Sequence, residues 1–308
     1  MPRARLRRVE MPASDSPTPY RAIDLRGAAG ALLASLFWGV NPVAIKAGLE
    51  DAPPFRLAAL RFILGGTVIL VWAAGTGRLR GFRIAPDEWR PLGVLGLLLA
   101  VQMGTMNVAT TMTTAAHVAI ILNLYAVQTV VLAHFMIPGD RLSLRRLAGV
   151  LVAFGGIVIL FGRGFSLGGP TLVGDAIMFV SALILAERTI YLARAVQRQD
   201  PVKLLLAQAV VGIVVFLLLS AIFEPAATRW TGRLAGAIAF QGFVVTGFNF
   251  IVNLWLLKHY RPSALSALFL TQPIFGVVAA AIVWGEPLTD DVVVATLAVI
   301  VGIALTQR

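Results

Sequence analysis

The chain has 308 residues, of which 58% are hydrophobic and only 13% charged, and its mean hydropathy is +0.84. A water-soluble domain of this composition would expose far more apolar surface than soluble proteins carry, so the chain reads as an integral membrane protein. The formal net charge of +11 is strung between apolar runs and builds no basic face, which argues against a nucleic-acid partner, and the lack of cysteine excludes disulfides, thiolate metal sites and cysteine nucleophiles.

Residues 1–26 open on the basic run MPRARLRRVE and continue into the Ser- and Pro-rich MPASDSPTPY, with no apolar core of the kind a signal peptide needs. They read as a disordered basic cytoplasmic tail. Ten apolar segments follow, near residues 27–48, 55–75, 91–111, 115–136, 145–163, 173–193, 202–223, 235–256, 263–284 and 291–306. Each is about long enough to cross a ~30 Å hydrocarbon core at ~1.5 Å per residue, and none alternates with the two-residue period of a barrel strand. The expected fold class is an all-α integral membrane protein with ten transmembrane helices.

Of the 26 Lys and Arg residues, 19 lie in the tail, at the C-terminus and in alternate connections, including Arg78, Arg80, Arg83, Arg90, Arg141, Arg145, Arg146, Arg194, Arg198, Lys203, Lys258 and Arg261. Only Arg163, Arg229 and Arg233 fall on the other side. The positive-inside rule therefore predicts a multi-pass protein of the cell (inner) membrane with both termini cytoplasmic.

The second half echoes the first. Asp140 and Glu286, Leu151 and Leu297, Gly96 and Gly242, and Asn107 and Asn253 are each 146 residues apart; at a shift of 147 Gly27 meets Gly174, Pro54 meets Pro201 and Gly65 meets Gly212. A five-helix unit at 27–163 thus recurs at 173–306. An odd number of crossings inverts the second copy in the membrane, an arrangement that favours transport over catalysis.

In the first segment, LFWGVNPVAIKAG, Trp38, Pro42 and Lys46 share a face at four-residue spacing with Asn41 beside them. Proline frees a helix carbonyl, which survives in a membrane only against protein or water, so this helix is expected to line a cavity. Lys46 has two readings, cavity or snorkelling to the outer surface. Glu187 is the one carboxylate well inside a span, with Tyr191 on its face. It reads either as a cavity-facing cation or proton site, or as an ion pair with Arg188, Arg61 or Lys46. Thr246, Asn249 and Asn253 form a stripe at i, i+3 and i+7 on the eighth segment, and Gln102 and Asn107 mark the third. They read as cavity lining or as hydrogen bonds between helices. Tyr125 and Gln128 on the fourth segment, with His117, can reach the same space. The GEPLT hinge at 285–289 reads as a pair of helix ends.

The run WGVNPVAIK, Arg61 behind a proline-led second segment, and TQPIFGVVAAAIVWGEPLT in the ninth resemble the EamA family of the drug/metabolite transporter superfamily, although the first half carries PGDRLS where a GE-L pattern would stand. The resemblance spans 27–306. It implies a central cavity between two halves and passage of small metabolites, often export of amino acids or drugs.

The expected function is a secondary transporter working by alternating access, monomeric or homodimeric in the bilayer, with Trp38, Asn41, Gln102, Asn107, Glu187, Tyr191, Thr246, Asn249 and Asn253 facing a small-molecule substrate and Lys46, Tyr125 and Gln128 behind them. The alternative is a lipid-handling, flippase-like or scaffold protein. No cofactor, metal or enzymatic activity is expected: Asp140 and Asp175 are placed at opposite membrane edges, and His117, His134 and His259 lack metal spacing.

Overall fold

The computed structural model describes residues 20–80, 82–113, 115–137, 139, 143–161 and 172–284, with 294, 297, 298, 300–302, 304 and 305. The tail up to residue 19, Asp140 and the hinge at 285–289 lie outside the described residues, as does the side chain of His117.

Among the described residues the protein is helical and has no strand. The helices are α1 (Leu25–Leu49), α2 (Pro54–Gly75), α3 (Trp89–Met112), α4 (Ala115–Met136), α5 (Leu144–Phe161), α6 (Leu172–Ala195), α7 (Pro201–Phe223), α8 (Gly232–His259) and α9 (Pro262–Phe269, continued by Gln272–Trp284). Seven of these are long and apolar enough to cross a membrane. Outward-facing Ile63, Leu70, Val71, Leu97, Val101, Val210, Leu217 and Leu218 are exposed, a surface that only lipid tolerates.

Local chemistry explains where the helices begin. Pro54, Pro201 and Pro262 stand in the first turn of α2, α7 and α9, where the missing N–H has no intrahelical partner to lose. Asp24 caps α1 by accepting from the Gly27 amide at 2.8 Å, Asp200 caps α7 and Thr231 caps α8. The Asp24 carboxylate also accepts from the Tyr260 hydroxyl at 2.7 Å, tying the start of α1 to the end of α8. The Gly27 amide first, and then this hydroxyl, holds its pKa below the usual carboxylate value.

Helix crossings come in equivalent pairs. α3 packs on α6 as α1 packs on α8; α4 packs on α6 as α9 packs on α1; α2 packs on α8 as α3 packs on α7; and α2 and α7 pack on each other. The glycines that echo in sequence sit at these crossings. A side chain at Gly65 would run into Thr246 and one at Gly242 into Leu64, both between α2 and α8, while Gly96 abuts Val211 and Gly212 abuts Leu99 between α3 and α7, Gly212 also meeting Phe62 of α2. Gly27 faces Tyr260 and Gly174 faces Met112, again at equivalent ends. Small residues allow the backbones to approach, which is how helices associate where lipid removes the hydrophobic drive.

Opposite the basic connections, Asp51 joins the end of α1 to the start of α8. Its side chain, 1% exposed, accepts from Thr231 Oγ1 at 2.6 Å and Arg233 Nε at 2.9 Å and pairs with Arg229 at 3.1 Å. Arg233, then Thr231, holds its pKa below the usual carboxylate value. A depressed native pKa contributes stability that is present above the unfolded value and lost as pH falls through the native one. Asp51→Asn is therefore expected to melt lower than wild type at pH 7, and the difference should close below about pH 4. Melting curves in detergent across that window check this.

Candidate functional site

Midway between the ends of the spans the helices surround a cavity of about 90 Å³, narrower than the ~300–1,000 Å³ of typical small-molecule sites. Trp38, Asn41 and Pro42 come from α1, Gln102, Met103 and Met106 from α3, Leu122 and Tyr125 from α4, and Leu185, Arg188, Thr189 and Leu192 from α6. Val245, Phe250 and Asn253 of α8, Phe269 and Gln272 of α9 and Arg61 of α2 complete the wall. Both halves of the chain contribute.

Three breaks in regular helix geometry aim side chains inward. Pro42 lies inside α1 and its missing N–H leaves the Trp38 carbonyl without an i+4 donor beside the cavity. In α9, Pro273 cannot donate to Phe269, and the helix turns at Leu270–Thr271, so that Phe269 and Gln272 flank the break and face the cavity. Phe269 stands edge-on to Trp38 at 5.2 Å, and Gln272 Nε2 donates to the Tyr125 hydroxyl at 3.2 Å. In α8, residues Phe240–Asn249 are π-helical.

The predicted stripe leaves this π stretch at Asn249 and divides. With i→i+5 bonding in place of i→i+4 the faces shift, and only Asn253 of the three reaches the cavity. Thr246 is fully buried against Gly65 of α2, and Asn249 donates through Nδ2 to the Ala34 carbonyl of α1 at 3.1 Å. Asn107, the repeat mate of Asn253, is also fully buried away from the cavity and donates to the Pro54 carbonyl at 3.0 Å, joining α3 to the start of α2. Trp38, Asn41, Gln102 and Tyr125 line the cavity; Tyr191 and Gln128 do not. Lys46 is outside the cavity wall and exposed, with Nζ 3.5 Å from the Thr113 carbonyl.

Glu187, read from the sequence as facing the cavity or as paired with a cation, does neither. It is exposed on the outward stripe of α6 with Phe179, Val180 and Leu183. The inward face carries Gly174, Ser181, Ala182 and Arg188. At ~100° per residue, neighbours in a helix cannot both face in, and the cation is the one that does. The signal was present: Arg188 lies seven residues, about two turns, from Ser181 on the small-residue face.

Arg61 and Arg188 are the functional candidates that sequence reasoning passed over. Both are buried, Arg61 at 1% exposure and Arg188 at 6%. Arg188 is held from behind: Nη2 and Nε donate to Gln208 Oε1 at 3.0 and 3.3 Å, and Nη1 donates to Gln102 Oε1 at 3.3 Å. Gln102 is anchored in turn by Ser181, whose hydroxyl donates to its carbonyl at 2.8 Å. Arg61 Nη2 meets Met103 Sδ at 3.0 Å, while its Nε and Nη1 have no hydrogen-bond partner among the described residues. Arg61 lies over Phe62 at 4.9 Å and Arg188 over Phe250 at 5.5 Å.

A polytopic helical protein with an amphipathic cavity between its two halves is the architecture of a membrane transporter. The chain belongs to the EamA-like transporter family, whose model matches residues 25–162 and again 172–308. Its relatives include an uncharacterized transporter, YoaV, of Bacillus subtilis, 22% identical over 89% of this chain and 94% of that protein. A probable amino-acid metabolite efflux pump of Escherichia coli is 26% identical over 84% of this chain and 87% of that protein. A crystal structure of a 22% identical protein matches with a TM-score of 0.78 over 91% of this chain and 98% of that one, a likeness of fold.

Proposed function

We propose that the protein is a secondary transporter that exports a small amphipathic metabolite across the inner membrane by alternating access. Two inverted repeats of five helices, 27–163 and 173–306, rock about the cavity, and both termini are cytoplasmic. The observation that carries this reading is the cavity itself, walled at mid-span by helices from both halves whose crossings are equivalent. The twofold family match supports the repeats, and the efflux pump among the relatives supports export.

The chain has no native cysteine, so Asn253→Cys creates a single reporter in the cavity wall. Impermeant thiol reagents should reach it from each side of the membrane in turn, and transported cargo should protect it. A thiol that water reaches from neither side would sink the carrier reading. Glu187→Gln should transport at the wild-type rate in proteoliposomes, because its carboxylate lies outside the path; a rate loss of about tenfold would restore Glu187 to the mechanism.

A further inference from the structure

Resting on the transporter reading, we infer that the cargo is an organic anion, a carboxylate on an apolar body, and that Arg61 and Arg188 bind its charged end. The cavity wall contains two guanidinium groups and, among the described residues, no carboxylate. A guanidinium keeps its charge at neutral pH, and a charge this deep in a membrane protein is stable only when paired or hydrated. Glu187, next to Arg188 in the chain, is exposed on the outward side of α6. The wall is thus left with positive charge that no carboxylate among the described residues balances.

The two arginines differ in a way that suits them to one ligand. Arg188 is fixed by three hydrogen bonds to neutral glutamine oxygens, which orient it without cancelling its charge. Arg61 keeps Nε and Nη1 without a partner among the described residues although it is almost wholly buried. Both atoms carry N–H groups of the guanidinium fork, whose fixed geometry suits a carboxylate. A carboxylate between the arginines would satisfy the orphan donors and relieve the repulsion between two like charges. Around them Trp38, Phe250 and Phe269 offer an aromatic wall for the apolar body. A cation has no acidic partner here, and a zwitterion would gain at one end and lose at the other.

Three probes share a phenyl ring and a two-carbon chain and differ in the charged groups they carry: 3-phenylpropionate, L-phenylalanine and 2-phenylethylamine. An aliphatic pair, hexanoate and hexylamine, controls for the ring. Binding to the purified full chain in nanodiscs, read by thermal shift and tryptophan fluorescence, should favour each anion over its amine by at least about tenfold, with phenylalanine between. Arg188→Gln and Arg61→Gln should each remove that preference, and Arg188→Lys should restore part of it. Equal or tighter amine binding, no anion-dependent stabilisation with either pair, or anion binding indifferent to both Gln variants would overturn the inference. The comparison on the wild-type protein stands even where a variant fails to fold. Flux of the same probes in proteoliposomes separates the two readings. Anion-selective binding without flux counts against transport alone, whereas flux of the amines without anion preference counts against the anion site alone.

Discussion

Gly39→Val is expected to destabilise the protein by about 3 kcal/mol or more, enough for most of the purified protein to be aggregated or unfolded. Gly39 sits where α1 crosses α9. A side-chain carbon there would press on the backbone carbonyl of Gln272 and stand 2.9 Å from Phe275 Cβ, and one at Gly276 would lie 2.8 Å from the Gly39 carbonyl. A flexible side chain could yield, but a backbone carbonyl next to the Pro273 break cannot move without shifting α9 as a whole. Because Trp38, Asn41 and Gln272 flank this contact, the surviving fraction should also lose cargo binding. The control is Gly93→Ala in α3, where nothing lies within 4 Å. It should be neutral or raise stability by up to about 1 kcal/mol, through the lower entropy of the unfolded chain. Thermal unfolding in detergent distinguishes the two, and a wild-type melting temperature for Gly39→Val would show that α9 can move away from α1 at this crossing without loss.

Replacing Gln208 separates stability from charge in the site. Gln208 is buried on α7, behind Arg188 and outside the cavity wall. Gln208→Leu removes the acceptor of two guanidinium N–H groups and should cost about 2–3 kcal/mol, because hydrogen bonds to charged groups are the costly ones to leave unmade. Gln208→Glu keeps the shape and supplies a counter-charge. It should melt at or above the wild-type temperature while weakening 3-phenylpropionate binding by about tenfold or more, since Arg188 is then already neutralised. If Glu at this position left anion binding intact, the charge of Arg188 would have no part in recognition. Binding isotherms and melting curves on the same samples give both readouts.

The elements that depend on length and composition were legible from the chain. The proline-led starts of α2, α7 and α9 fall within a residue of the apolar segments, because proline at the first turn is a local signal. The glycine echoes were legible as well, and they recur at equivalent crossings. Trp38, Asn41 and Gln102 reach the cavity from regular or proline-marked helix, where a 3.6-residue period holds. Of the two readings open to the eighth-segment stripe, Asn249 takes the hydrogen bond between helices and Asn253 the cavity, and the π-helical stretch that ends at Asn249 is announced by no residue type. Asn107 looked like the twin of Asn253, yet identical residues at repeat positions took different work: one ties helices together, the other faces the cavity.

By itself the sequence determined a helical membrane protein, its sidedness signals and its internal repetition, since each follows from local patterns of hydropathy, charge and turn residues. Only the tertiary structure decided which of two neighbouring charges, Glu187 or Arg188, turns inward. A helix that is apolar on nearly every side has no polar face to set its rotation, so the close approach of small residues to α3 and α4 sets it instead. That rotation turned a cavity expected to hold an acid into one that holds two arginines.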